Sequence, residues 1–257
     1  MSPELQSALR LGDAAAVEGC LSAQQSKEAA AALAQVALNS NQGLQCEDIV
    51  RLLLQHGAGP NGPGCVALQV AIEQGYTGAA MALLEAKADI HARGNWALDA
   101  AVKHEQQELL EILLDRGARP LANYGRALVS AAALPSLDSL TKLLDRCPAA
   151  PLCEQDQEGL RHALRSAALN GAAGGVQLLL DRGADPGDRA WLFGVYLVHN
   201  CRHAQLPSLL PTLKRLCAML PEAAVNLARN GGNETAATFV AAHIARSRAQ
   251  STRGLRI

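Results

Sequence analysis

Aromatic residues are scarce in this chain, at 3% of 257 residues: two Trp, three Tyr and two Phe. Hydrophobic residues nevertheless make up 49% of the sequence, which is ample for a core. A core of this kind is built from alanine and leucine, with few of the large rings that fill many cores. Such a composition favours stacked pairs of helices over a sandwich of two sheets.

An excess of positive charge is also missing, since 23 Lys and Arg face 24 Asp and Glu, for a formal net charge of −1. A protein that holds a phosphate backbone needs a basic field, so we expect no nucleic-acid partner. No run of about 18 or more apolar residues is free of charge, so no membrane-spanning segment is expected. The first residues lack a basic segment followed by an apolar one, and we expect no signal peptide.

The seven cysteines contain no CxxC pair. Most of them stand where a small apolar residue would fit, which is typical of buried thiols. Scattered cysteines without a pairing pattern favour a reducing compartment. We therefore expect an intracellular, cytoplasmic protein, with the nucleus left open.

Catalytic signatures are absent as well: there is no GxGxxG after a strand, no P-loop, no GxSxG and no HExxH. His199 and His203 are four residues apart and would share one face of a helix, as metal ligands can. No carboxylate near them in sequence supplies a third ligand. We therefore expect no metal and no cofactor, and we favour a non-catalytic protein.

The sequence does contain a repeat. A leucine-rich segment returns with its marker leucine at a spacing of 30 residues and once of 36, at Leu54, Leu84, Leu114, Leu144 and Leu180. A period near 30 is typical of a solenoid, in which each unit buries its apolar face by stacking on its neighbours. Glycine follows the segment and suits the left-handed residue that ends a helix, at Gly57, Gly117 and Gly183.

An alanine-rich segment precedes each leucine-rich one, for example WALDAAVKHE at 96–105 and HALRSAALNG at 162–171. Small residues occupy its apolar positions and would let one helix lie close to the next, at Ala71, Ala101, Ala131 and Ala167. The leucines of the second helix would then fill the space behind. The sequence therefore predicts an all-α solenoid of about seven helix-turn-helix repeats without a sheet.

These paired segments resemble the ankyrin-repeat family. The family's Thr-Pro-Leu-His-x-Ala-Ala motif is similar to the seven residues that begin at Val66, Trp96, Arg126 and His162. Its Leu-Leu-Leu-x-x-Gly-Ala-Asp ending is nearly intact at 178–185, whereas its Thr-Pro and His positions are replaced throughout. The resemblance covers residues 28–190 and implies an ankyrin-type α-solenoid.

We expect a single ankyrin-like solenoid over residues 1–245, followed by a basic flexible tail at 246–257. Within it, residues 1–25 or so form an N-terminal cap, and residues from about 187 to 245 form divergent last repeats. Two insertions, at 40–48 and 148–158, are predicted as loops. The cap should bury its apolar positions, at Leu5, Ala8, Val17 and Leu21.

The resemblance also implies a protein partner, held on the concave face by turn tips and by the exposed side of the first helices. The predicted contact residues at these positions are Arg93, Asn95, Trp96, Lys103, His104, Tyr124, Arg126, Arg161, His162, Arg189 and Trp191. Aromatic and arginine anchors carry much of the energy of protein interfaces. The excess of cations in the C-terminal half favours a partner with an acidic segment, so we predict a non-catalytic scaffold or adaptor.

An alternative interpretation starts from Trp96, Arg126 and His162, which begin successive first helices. They are predicted to form a row across the concave side, where drift at a semi-exposed position is the simpler explanation. An aromatic wall, a cation and an acid or base in line would instead suit a small-molecule pocket. The alternative is therefore a divergent ankyrin-fold enzyme or a small-molecule sensor with a pocket at these three residues.

Overall fold

The structure, a computed structural model, describes residues 3–21, 46–61, 66–148, 152–187 and 190–200, and isolated helical positions at 212, 216, 229, 238, 241, 242 and 245. Over these residues the regular secondary structure is helical and contains no strand, as predicted. None of the described helices is long and apolar enough to cross a membrane. The chain forms two compact units, residues 1–119 and 120–257.

The described helices of unit 1 are α1 (Pro3–Leu11), α2 (Ala14–Cys20), α3 (Cys46–Gln55), α4 (Val66–Glu73), α5 (Thr77–Glu85), α6 (Ala92–Lys103) and α7 (Gln107–Asp115). The alanine-rich helices α4 and α6 pack against each other, and so do the leucine-rich helices α3 and α5. Within a repeat, α4 packs on α5 and α6 packs on α7. Each helix pair therefore buries its apolar side against the next pair, as the 30-residue period predicts.

The residues predicted to form an N-terminal cap contain the helix pair α1 and α2. Gly12 separates the two helices with a φ of 68°, and the Asp13 carboxylate accepts a hydrogen bond from the Ala16 N–H at 3.1 Å. An aspartate in this position satisfies one of the free N–H groups at a helix start. All four predicted apolar positions of the cap are buried, at Leu5, Ala8, Val17 and Leu21.

The described helices of unit 2 are α8 (Ala122–Ala133), α9 (Asp138–Asp145), α10 (Glu154–Leu169), α11 (Ala173–Asp181) and α12 (Ala190–Asn200). The central helix α10 packs against α8 and α12, and also against α11 of its own pair. The second helices α9 and α11 contact each other. Helix α10 therefore presents parts of its surface to three neighbours, and its remaining side chains are available at the surface.

The core of both units consists of the small and branched residues that the period singled out. The predicted alanines are all buried, at Ala71, Ala101, Ala131 and Ala167. The marker leucines are buried at Leu84, Leu114, Leu144 and Leu180, whereas Leu54 is half-buried. The packing of an alanine-rich layer on a leucine-rich layer is confirmed.

The turns after the second helices have the predicted left-handed residue. The φ angles are 87° at Gly57, 90° at Gly117 and 86° at Gly183. Lys87 occupies the corresponding position after α5 and adopts a φ of 65° although it has a side chain. In each of these turns the backbone N–H reaches back to a leucine carbonyl, at 3.1 Å from Lys87 to Leu84.

Two predicted loops are shorter than expected, because their acidic residues begin helices. Helix α3 starts at Cys46, so residues 46–48 of the first predicted insertion are helical. Helix α10 starts at Glu154, and the Cys153 sulfur accepts a hydrogen bond from the Asp156 N–H at 3.4 Å. Acidic side chains in a first helical turn are favoured by the partial positive charge there. The interpretation of residues 154–158 as part of an exposed loop is therefore wrong.

Beyond α12, most of the predicted sixth and seventh repeats and the tail at 246–257 lie outside the described residues. Thr212 and Leu216 are described; both are helical and buried. The Thr212 hydroxyl donates a hydrogen bond to the Gln177 side-chain oxygen at 2.9 Å. Thr212 therefore lies against α11.

Candidate binding site

Helices α6 and α8 each begin with a left-handed turn of three residues. Residues 93–95 and 123–125 have φ angles between 51° and 69°, and the regular helix follows them. Residues other than glycine rarely adopt this left-handed region of φ and ψ. The same turn recurs 30 residues later, so it is a repeated structural feature of the chain. Arg93 and Tyr124, one in each turn, are exposed.

Asn95, a predicted contact residue, is buried with 6% of its surface exposed. Its amide nitrogen donates a hydrogen bond to the Arg119 carbonyl at 3.0 Å, and its amide oxygen lies 2.9 Å from the His91 ring nitrogen. The assumed exposure of Asn95 is therefore wrong, because its amide is used inside unit 1 to join two successive turns. Asparagine also tolerates the left-handed conformation better than most residues.

Arg93 and Trp96 lie together at the start of α6. The Arg93 guanidinium donates a hydrogen bond to the Gln69 side-chain oxygen at 3.0 Å. Arg93 and half-buried Trp96 line a cavity of about 20 Å³. A cavity of that size has room for no more than about one water molecule. Trp96 therefore contributes to a surface here and not to a deep pocket.

The end of α6 carries two further predicted contact residues. Lys103 is exposed, and its ammonium lies 2.9 Å from the carboxylate of Asp99, which is buried with 1% exposed. Burying a carboxylate costs free energy unless the carboxylate is paired. The Lys103 ammonium is therefore engaged by Asp99 within the protein before it can contact a partner. His104 is exposed at the C-terminal end of the helix.

A cleft of about 650 Å³ lies in unit 2, between α10 and α12 and beside the turn after α11. Its lining combines cationic, aromatic and apolar side chains, at Arg161, His162, Arg165, Pro186, Gly187, Leu192, Phe193 and Tyr196. We call it the arginine cleft. Its volume falls within the range of about 300–1,000 Å³ that is common for ligand sites.

The two arginines of the cleft stand four residues apart on α10. The Arg161 Nε donates a hydrogen bond to the Asp185 carbonyl at 3.3 Å, and Arg165 is exposed. Gly187 adopts a φ of 65° in the same turn, and a methyl group on it would lie 3.6 Å from the Arg161 Nε. The turn that contains Asp185 and Gly187 therefore holds the Nε side of the Arg161 guanidinium in place. In the part of unit 2 that is described, neither arginine forms an ion pair with a carboxylate.

Tyr124 and His162 meet at the start of α8 and in the middle of α10. Their ring centroids are 6.3 Å apart with an interplanar angle of 50°. Tyr124 is 49% exposed and His162 is also exposed. A tilted pair of rings at this separation is a favourable arrangement. The pair borders the arginine cleft, because His162 belongs to both.

The predicted row of Trp96, Arg126 and His162 divides between the units. Trp96 belongs to unit 1, while Arg126 and His162 belong to unit 2. His162 lines the arginine cleft, whereas Arg126 is exposed on α8 and is not among the residues that line it. The cleft instead gathers Arg161, His162 and two residues that the sequence interpretation missed, Arg165 and Tyr196.

Arg165 could have been found from the sequence, because residues four apart share one face of a helix. Tyr196 lies in the most apolar stretch of the chain, and such a stretch predicts a buried helix. The sequence therefore offers no reason to select Tyr196 as a site residue. Two further predicted contact residues, Arg189 and the side chain of Trp191, lie outside the described residues. The same holds for His203 and the side chain of His199, which were considered above as metal ligands.

Residues 33–124 match a protein-family model described as Ankyrin repeats (3 copies). No curated protein matches the chain. The matched range includes α3 to α7, whose paired helices and left-handed turns are described above.

Proposed function

Since residues 33–124 match ankyrin repeats and the described helices form the all-α paired arrangement expected of them, we propose that the chain is a non-catalytic scaffold or adaptor that binds a protein partner. Ankyrin repeats generally act as protein-interaction modules. We assign the partner to the exposed side of the first helices, which is the predicted concave face. We further propose a reducing, cytoplasmic setting, in keeping with the free thiols of Cys20, Cys147 and Cys153.

The observation that carries this proposal is the exposed surface around Tyr124 and His162. Nearly half of the Tyr124 side chain is exposed, and its ring meets His162 at 6.3 Å. Tyrosine and arginine are the residue types that most often anchor protein interfaces, because they combine apolar area with hydrogen bonding. The neighbouring Arg161 and Arg165 favour an acidic segment in the partner, which they would attract and orient.

The test is capture of a partner by the full chain, with identification by mass spectrometry and titration of the purified partner. The double change Tyr124→Ala with His162→Ala should weaken binding by at least about tenfold, since aromatic anchors commonly contribute that much or more. The helical circular dichroism spectrum should stay unchanged, because both side chains are exposed.

The matched control is Glu108→Ala with Asp181→Ala, two exposed acids on the second helices α7 and α11. This pair should leave the affinity for the purified partner nearly unchanged. If the control pair removes binding and the Tyr124 and His162 pair does not, the partner contacts the second helices and the proposal is wrong.

A second candidate, a small-molecule sensor, is supported by the arginine cleft. Its volume of about 650 Å³ would hold a ligand of ordinary metabolite size. The cleft contains His162 of the predicted pocket, together with Arg161 and Arg165. A metabolite panel screened by thermal shift would test this candidate. A ligand that raises the Tm of the full chain but not that of the Arg165→Gln variant would favour the sensor over the scaffold.

A further inference from the structure

The arginine cleft places two positive charges on one helix face, and no carboxylate of the described residues compensates them. Arg161 and Arg165 are four residues apart on α10 and both line the cleft. Like charges at this spacing repel each other and destabilise an isolated helix. Among the described residues, no carboxylate lies within ion-pair distance of either guanidinium. An anionic ligand would relieve this repulsion.

The local acidic group is already engaged in the turn beside the cleft. Asp185 accepts a hydrogen bond from the Gly187 N–H at 2.9 Å through its side chain, and from Arg161 at 3.3 Å through its backbone carbonyl. The Arg161 Nε is therefore occupied, while its terminal nitrogens carry no hydrogen bond to a described residue. Arginine presents these nitrogens as a planar fork that matches the oxygens of a carboxylate or a phosphoryl group.

The opposite wall of the cleft is largely apolar. Leu192 is half-buried and Phe193 is buried with 6% exposed, and both come from α12. Tyr196, one turn further along α12, adds an aromatic ring that ends in a hydroxyl group. A ligand that fills this cleft therefore needs an anionic group at α10 and an apolar body at α12.

The number of charges favours a phosphoryl group over a single carboxylate. A phosphate monoester carries about −1.5 to −2 at neutral pH, which balances two guanidinium groups, whereas a carboxylate balances one. We propose that the arginine cleft binds a phosphoryl dianion attached to an aromatic or similarly apolar body. The source is either a phosphorylated side chain of the partner or a free phosphorylated small molecule. The first source rests on the proposed scaffold function, and the second does not.

The first experiment titrates the full chain with phenyl phosphate and follows binding by NMR and calorimetry. We expect saturable binding, with Arg165→Gln weakening it by about tenfold or more, because an arginine fork on a dianion is a strong, charge-assisted contact. The control Arg10→Gln removes an exposed arginine from α1 and should leave the affinity unchanged. Inorganic phosphate should bind more weakly than phenyl phosphate, since it cannot contact the apolar wall.

Absence of saturable binding up to phenyl phosphate concentrations on the order of 10 mM would overturn the proposal. Equal weakening by Arg165→Gln and Arg10→Gln would overturn it as well, because it would indicate attraction to the net charge alone. Since Arg165 is exposed, its replacement should leave the helical spectrum intact.

The second experiment separates the two sources with a short phosphotyrosine peptide and its unphosphorylated form. A phosphopeptide that binds at least about tenfold more tightly than phenyl phosphate supports a protein source. Equal affinities of the two phosphorylated probes support a free small molecule. Equal affinity of the phosphorylated and unphosphorylated peptides overturns the phosphoryl site. In that case, capture of a partner that still depends on Tyr124 would leave the scaffold proposal intact.

Discussion

Gly125 and Gly159 touch backbone to backbone where α8 begins beside α10. A methyl group on Gly159 would lie 3.0 Å from the Gly125 nitrogen, and one on Gly125 would lie 3.0 Å from the Gly159 carbonyl oxygen. The two helices approach this closely because neither residue has a side chain. Tyr124 immediately precedes Gly125, and its ring lies 6.3 Å from the ring of His162 on the same two helices.

We predict that Gly159→Ala destabilises the protein by about 1–3 kcal/mol, because the added methyl group meets backbone that cannot move independently. Alanine would otherwise favour a helix by roughly 1 kcal/mol over glycine. The measurement is urea-induced unfolding of the full chain. The control is Gly19→Ala in α2, where a methyl group meets no atom within 4 Å and stability should stay level or rise. Equal losses at the two positions would contradict the close contact.

The left-handed position after the second helices allows a second prediction. Lys87 holds a φ of 65° where the equivalent residue after α7, Gly117, holds 90°. Residues with a side chain are strained by about 1–2 kcal/mol in this region. Lys87→Gly should therefore raise the free energy of unfolding by about 0.5–1 kcal/mol, part of the gain being offset by the greater freedom of glycine in the unfolded chain.

The complementary change is Gly117→Ala, which should lower stability by about 1 kcal/mol for the same reason. No atom lies within 4 Å of a methyl group at Gly117, so a loss would come from the backbone and not from crowding. Denaturant midpoints of the two variants should move in opposite directions. A loss of stability in Lys87→Gly would mean that the lysine makes a contact that outweighs its backbone strain.

Periodicity was sufficient to predict the layers of the fold but not the turns that precede the first helices. Leu114 and Gly117 follow from the repeat alone, since burial and helix termination depend on local pattern. The left-handed turns at 93–95 and 123–125 contain Arg93 and Tyr124, residue types that do not predict a positive φ. The arginine cleft depends on which face of α12 meets α10, and an apolar helix gives no pattern that fixes this.

Asn95 is a single residue whose environment the sequence did not predict. A polar residue in a predicted turn tip is usually exposed, whereas Asn95 is buried. We predict that Asn95→Ala lowers the free energy of unfolding by about 1–3 kcal/mol, because it removes the hydrogen bond from the buried Asn95 amide to the Arg119 carbonyl. Arg93→Ala, which removes a hydrogen bond at the exposed surface, should cost less than about 0.5 kcal/mol. Thermal and denaturant unfolding of both variants would measure the difference. Similar costs would indicate that the Asn95 bridge contributes little.

Cys147 and Cys153 lie six residues apart in sequence and should differ in reactivity. Burial raises the pKa of the Cys147 thiol to about 12, and the negative charge of Asp156 adds to the shift. Only the thiolate attacks alkylating reagents, so Cys147 should stay unreactive at pH 8. Cys153 is exposed, and its sulfur accepts a hydrogen bond from the backbone at the start of α10. Iodoacetamide should therefore modify Cys153 at least about tenfold faster than Cys147.

The direction of the pKa shift also predicts how pH affects stability. A thiol whose pKa is raised in the folded chain stays neutral there, while the unfolded chain ionises at the ordinary thiol value. The contribution of Cys147 to stability is therefore fully present below that ordinary value and is lost as the pH rises from it toward about 12.

The difference in reactivity between the two cysteines is measured by peptide mapping after labelling at pH 8, with and without urea, which separates protection by the fold from intrinsic reactivity. Cys147 should become labelled in urea, and Cys153→Ser should remove the early modification. Rapid labelling of Cys147 in the folded chain would contradict its burial.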